Sequence, residues 1–223
     1  MEEKFTPRKL LLYIVEVILV VMFVLSAVAL VQLFWVSPIG ISGPSMQHTL
    51  DTGDTVYINK AFKTVDRGDV VVVYLPQDYT NYGLDWWRYT GDNDDTQRCP
   101  ASRTKTFDDF IMAMPFFNMG TGDDNQGTAK DGYKMVIKRV VAVPGDTVQI
   151  LDGVLTVNGV EDDRGVRDSS LSFYHVLGAE EYFIMGDNRS KSLDSSSYGP
   201  IRGSWICGKV FAARVSGKFT TKL

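Results

Sequence analysis

Cysteine and histidine are scarce, with two of each among 223 residues. Cys99 and Cys207 are too few for a disulfide-built scaffold or an all-cysteine zinc site. Two histidines, His48 and His175, leave most metal-site patterns unfilled, so no metal or cofactor is expected. A basic surplus is missing too. Lys and Arg total 23 against 27 Asp and Glu, a formal charge of -4 with a pI near 5.2. That excludes a protein that lives on nucleic acid, which needs a net basic surface. No G-x-S-x-G is present, so a hydrolase nucleophile elbow is not indicated. Ser102-Arg103-Thr104-Lys105 spells S-x-x-K, but it lies in a polar stretch without its S-D-N and K-T-G partners and reads as chance. His175, between Tyr174 and Val176, is the remaining option for a Ser-His-Asp triad; a lone histidine there is more often structural.

What is abundant is apolar. Hydrophobic residues make up 44% of the chain, enough for a core. The mean hydropathy of -0.05 averages two unlike parts. Leu10 to Trp35 is interrupted only by Tyr13, Glu16, Ser26 and Gln32. As a helix this run reaches roughly 39 Å, more than a hydrocarbon core of ~30 Å. Its 18 Leu, Ile, Val and Phe outweigh one acid, and Glu16 lies near an end. A cleavable signal peptide is the competing reading, since Ala27-Val28-Ala29 matches an A-x-A site. That tripeptide sits deep inside a run far longer than a signal h-region, which favours a retained anchor. Lys4, Arg8 and Lys9 precede the span, and the first charge after it is Asp51. The positive-inside rule keeps residues 1–9 cytoplasmic and exports residues 36–223.

The exported part reads as mainly β. Thr55 to Ile58, Val70 to Tyr74, Met135 to Val143, Tyr182 to Met185 and Ile206 to Val215 are β-branched and aromatic runs. Pro144-Gly145 is a type II turn pair, and Asp152-Gly153 between Val148–Ile150 and Val154–Val157 is a hairpin signal. Asn158-Gly159 closes the second strand of that hairpin. From about 77 to 132 the pattern dissolves into polar, Gly- and Asp-rich sequence, read as an insertion. Its Asp92–Asp95 and Asp123–Asn125 runs lack EF-hand spacing and read as solvated loops. Within it, Ile111 to Met119 is a dense apolar cluster, and Trp86, Trp87 and Tyr89 are aromatics of the membrane–water interface type. They are expected either to touch the bilayer surface or to form a small satellite core.

Three segments carry candidate chemistry. Ser42-Gly43-Pro44-Ser45-Met46 follows the anchor closely. Pro44 has no N–H, so the next free amide is Ser45's own, one half of a possible oxyanion hole. In Met135–Val143, alternation puts Lys138 on the face of Val136, Val140 and Ala142, with Arg139 on the other. A lysine among aliphatic neighbours loses hydration, and its pKa falls toward that of a general base. The rival reading is an edge-strand lysine in water. Gly186 to Gly199 is either a flexible Ser-rich loop or a source of hydroxyls and acids that orient a lysine.

Together these segments resemble the bacterial type I signal peptidases, membrane-anchored Ser–Lys endopeptidases. The likeness runs through the anchor, Ser42–Asp54, Arg67–Val71, Lys138–Asp146 and Gly186–Gly199, in the family's order. It implies Ser45 as nucleophile, Lys138 as base and Ser192 as the hydroxyl that orients the lysine. Asp187, Arg139 and Asp194 fall on supporting polar positions, and Met46 is a candidate wall of a shallow substrate pocket. Gly43 stands where one branch has a serine that completes the oxyanion hole, so the chain resembles the Gram-positive branch. His48 replaces a proline, Lys191 an asparagine, and Ser196 an arginine that would pair with Asp194. The implied substrates are exported preproteins with small residues before the cut, met at the lipid bilayer. Other readings are a different Ser–Lys processing peptidase of this fold and a membrane-tethered, non-catalytic binding domain.

Overall fold

The computed structural model describes residues 7–76, 133–166, 168 and 170–223. These fall into two compact units, one ending at Val36 and the other beginning at Ser37. The first holds helix α1, Pro7–Phe34, of 28 residues. Pro7 opens the helix, where its missing N–H costs nothing, so the helix begins three residues before the apolar run. Most of its apolar side chains from Leu10 to Val24 are exposed, Phe23 at 75%, whereas Ala29 is buried. A helix whose apolar side chains are exposed over most of its length suits lipid. It is long and apolar enough to cross a membrane.

The second unit is built of strands. β1 (Val36–Gly40), β2 (Thr55–Asn59), β3 (Val70–Pro76), β4 (Tyr133–Ala142), β9 (Glu181–Met185), β10 (Ile201–Arg202), β11 (Ile206–Val215) and β12 (Lys218–Thr220) form one sheet. Its order is β1-β2-β11-β3-β4-β9-β10, with β12 also on β11. β5 (Thr147–Leu151), β6 (Val154–Val157), β7 (Val160–Asp162) and β8 (Phe173–Val176) form a second sheet, ordered β7-β6-β5-β8. Short strands β1, β7, β8, β10 and β12 were not legible as strands in the sequence.

Local sequence sets the turns. Gly145 has φ +87° and Asp146 N bonds Val143 O at 3.0 Å, the turn expected of Pro144-Gly145. Asp152 and Gly153, and again Asn158 and Gly159, all have positive φ. Each pair turns a two-residue hairpin, so Asn158-Gly159 continues into β7 instead of ending the meander.

The large sheet buries both faces around β3, which is why Val70–Val73 shows no alternation. Val71, Val73, Val140, Ile184 and Trp205 fill one side; Val70, Val72, Ile58, Met46 and Leu50 fill the other. A third cluster joins Ala142 to Val148, Ile150 and Leu155 of the small sheet. Here the expectation that Ala142 shares its packing with Val140 fails. A register shift against β9 between the two residues turns Ala142 toward the second sheet. The stretch 77–132 lies outside the described residues, with Ser102–Lys105, both Asp runs, Trp86, Trp87, Tyr89 and the Ile111–Met119 cluster. Cys207, in β11, is disulfide-bonded.

Candidate active site

Three pieces of backbone converge. The turn carrying Ser45 lies between β1 and β2, closed by Gln47 N on Pro44 O (3.2 Å) and by Thr49 N and Leu50 N on Met46 O (both 2.9 Å). Met46 and Leu50 anchor it from beneath. Met46 is wholly buried beside the core of the large sheet, so here it packs under the turn and does not face solvent. Gly43 enters the turn at φ +96°, where an L side chain is strained, and its N–H is donated to Thr52 Oγ1 at 3.1 Å. A serine would fit poorly in this backbone, which accounts physically for glycine at that position.

Lys138 and Arg139 lie on β4, paired with Val71 and Val70 of β3. Arg139 also pairs with Met185 of β9, so the loop that starts at Gly186 emerges beside both residues. Lys138 is 4% exposed, on the side of the sheet lined by Val71, Val73 and Val140. The solvated edge-strand alternative is thereby ruled out. Burial drives the Lys138 pKa from 10.5 down to about 8; Asp194 and Asp187 pull it back up and Lys134 pushes it further down.

The loop after β9 closes over the Ser45 turn. Asn188 N donates to Ser45 O at 3.0 Å. A Cβ on Gly186 would stand 2.3 Å from Ser192 Oγ and 2.5 Å from Ser45 O. Glycine is therefore required there, and its bareness lets Ser192 and the Ser45 backbone both approach the space a Cβ would fill. Ser192 is fully buried, and its Oγ has no hydrogen-bond partner. A buried hydroxyl without a partner costs ~1–3 kcal/mol. It can accept from an ammonium or donate to a neutral amine, which is what a lysine-orienting group requires.

Two carboxylates brace this arrangement. Asp187 accepts from Arg139 Nε (2.8 Å) and Nη2 (2.7 Å), from Thr49 Oγ1 (2.6 Å) and from Arg164 Nη1. Burial would raise its pKa, but the hydrogen bonds of Arg139 and Thr49 and the charges of Arg139 and Arg164 outweigh that and hold it below the usual carboxylate range. The hydrogen bond and charge of Asp187 raise the Arg139 pKa above its ordinary value, against the effect of burial. Asp194 Oδ2 accepts from Gly186 N at 3.0 Å. Its Oδ1 accepts from Ser196 N (3.2 Å) and Ser196 Oγ (2.8 Å), capping the helical turn Ser195–Tyr198. The residue that replaces an arginine is thus Asp194's partner, by hydrogen bonding instead of charge.

Sequence reading missed Thr49, Gly186 and Arg164. The first two sit inside segments already singled out. Arg164 lies in a polar turn after β7 and carries no sequence signal. His175 is engaged on the small sheet, with Nε2 2.6 Å from Glu181 Oε2, which gives it a structural role of its own. Further off, Arg67 forks onto Asp146, with Nε at 2.6 Å and Nη2 bonding the other oxygen, and so ties the turns before β3 and after β4.

A profile described as signal peptidase, peptidase S26, matches residues 14–214. Thylakoidal processing peptidase 1, chloroplastic, of Arabidopsis thaliana is 26% identical over 178 residues, 77% of this chain and 40% of that protein. Signal peptidase I P of Bacillus subtilis subsp. natto is 25% identical over 198 residues, 82% of this chain and 78% of that one. Signal peptidase I of Bacillus licheniformis is 23% identical over 210 residues, 87% and 83% of the two chains. A crystal structure of a signal peptidase I from Enterococcus faecalis V583 aligns at TM-score 0.35 and 16% identity, over 67% of this chain and 98% of that one. The profile match takes in the apolar helix, the Ser45 turn, β4 and the Gly186 loop in a single span, and the chain therefore belongs to the signal peptidase family, peptidase S26.

Proposed function

We propose that this member of the family is a membrane-bound serine endopeptidase that removes N-terminal signal peptides from exported preproteins, with Ser45 and Lys138 as its dyad. One observation carries the assignment. Lys138 is buried on the strand whose next residue, Arg139, grips Asp187, and Asp187 bonds the turn that bears Ser45.

In this reading neutral Lys138 takes the Ser45 hydroxyl proton as Oγ attacks the scissile carbonyl. The tetrahedral intermediate collapses to an acyl-enzyme, and the lysine's proton passes to the leaving amine. Lys138 then activates water, which hydrolyses the ester and frees Ser45. The Ser45 N–H supplies one oxyanion donor. Gly43 shapes the turn, its own N–H being held by Thr52. Ser192 Oγ, without a partner among the described residues, is available to orient the amine of Lys138, while Asp187, Arg139 and Asp194 hold the loop and strand in register. These steps need neither metal nor cofactor.

Residues 10–35 are the anchor, residues 1–9 a cytoplasmic tail, and residues 36–223 an extracytoplasmic catalytic domain interrupted at about 77–132. The basic residues before the helix and the absence of charge between it and Asp51 support that orientation. Small residues at the first and third positions before the cut suit shallow apolar pockets; Met46, wholly buried beneath the Ser45 turn, supports that turn and does not line them. The test is cleavage of a preprotein bearing Ala-X-Ala, comparing the parent with Ser45→Ala. Cleavage that persists in the variant ends the proposal.

A further inference from the structure

We propose that Arg164, which lies outside the motif segments Ser42–Asp54, Arg67–Val71, Lys138–Asp146 and Gly186–Gly199, is a positioning residue for the reaction: it completes a two-guanidinium clamp on Asp187 and thereby offsets the negative charge that Asp187 presents to Lys138. The inference rests on Lys138 being the base.

The turn that carries Arg164 is fastened on both sides of it. Gly165 N bonds Asp162 O at 3.2 Å, and Arg164 N bonds Asp162 Oδ1 at 3.0 Å. Arg189, buried in the loop after β9, reaches across to both flanks. Its Nη2 lies 3.1 Å from Asp162 Oδ2 and its Nη1 bonds Gly165 O, while its Nε stays on Gly186 O at 3.1 Å. Arg164 is therefore delivered to Asp187 by a turn locked onto the same loop that holds Asp187 and Ser192. Its side chain is 44% exposed, whereas that of Asp187 is 5% exposed.

Charge arithmetic gives the clamp its purpose. Asp187 faces Arg139 from β4, Arg164 from the turn after β7 and the neutral Thr49 hydroxyl from the Ser45 turn. One carboxylate under two guanidiniums leaves the cluster with a net charge of +1. Arg139 alone already satisfies both carboxylate oxygens and would leave it neutral. The remaining charges bearing on Lys138 are Asp194, which favours its ammonium, and Lys134, which opposes it. Asp187 also favours the ammonium, so a second arginine on Asp187 cancels a pull toward the charged, non-basic form. Removing Arg164 should therefore protonate Lys138 more readily without touching a reacting atom.

The experiment is the pH dependence of kcat/KM between pH 6 and 10, for the full chain in detergent on an Ala-X-Ala peptide. It compares the parent, Arg164→Gln, Arg164→Lys and, as a control for lost surface charge, Arg214→Gln. In Arg164→Gln the rising limb should move about half a pH unit upward. Its rate should be about threefold lower at pH 7 and equal to the parent on the alkaline plateau. Arg164→Lys should restore the limb, and Arg214→Gln should leave it in place. An unmoved limb in Arg164→Gln overturns the proposal. So does a uniform loss at every pH, which would mark mere structural support. A parent without any limb near pH 8 would instead reject Lys138 as the base, and the role of Arg164 falls with it.

Discussion

Replacing Lys138 with methionine separates the chemical use of this lysine from the cost of burying it. Burial lowers its pKa from 10.5 to about 8. For a base, a depressed folded-state pKa means that folding penalises the charged form, and the gap between those values is worth about 3 kcal/mol. The sign follows from protonation. At pH 7 the lysine is charged in the unfolded chain and mostly charged in the folded one, so nearly all the penalty is present. Above pH 10.5 neither state is charged and the penalty is gone. Stability contributed by this site therefore rises as the pH climbs from 8 to 10.5. Methionine has similar length, no charge and an affinity for the surrounding Val71, Val73 and Val140. Lys138→Met should thus be more stable than the parent at pH 7, by up to about 3 kcal/mol, with the advantage closing toward pH 10.5. Urea unfolding of the full chain in micelles, followed by tryptophan fluorescence at pH 7, 9 and 10.5, measures the difference. The same preparation should lose at least ~10³-fold in preprotein cleavage. A variant destabilised equally at all three pH values refutes the electrostatic reasoning, and one that cleaves at the parental rate refutes the dyad.

Three other outcomes are expected. The parental rate should rise about tenfold from pH 7 to pH 9 with a midpoint near 8, unchanged in His175→Ala, because the titrating group is a lysine; loss of the limb in that variant would restore a histidine base. Ser192→Ala should lower turnover at least ~10-fold while leaving the urea midpoint the same or higher, since its hydroxyl has no partner to lose; an unchanged rate would deny it any part in orienting Lys138. Gly186→Ala should cost about 1–3 kcal/mol and nearly all activity, because its Cβ would stand 2.5 Å from Ser45 O; full activity would mean that the loop and the Ser45 turn are not in contact.

The sequence by itself determined a good deal here, wherever a property is local. The long apolar helix was legible because some 26 residues with only four polar interruptions suit one continuous helix, and its start moved only to Pro7. The turns at Pro144-Gly145, Asp152-Gly153 and Asn158-Gly159 were legible because few residues tolerate positive φ. β6 and β11 were found to the residue, their patterning being dense. Strands β7, β10 and β12 were not, since two or three residues make no period. For Lys138, alternation gave the face but not whether that face was wet or dry. Only the pairing of β4 between β3 and β9 decided that, by covering the lysine with side chains remote in the chain. The partner of Asp194 and the contacts of Arg164 with Asp187 were beyond reach for the same reason. Hydrogen bonds and ion pairs between loops depend on where β9 and β7 are held in three dimensions, and spacing along a chain does not encode that distance.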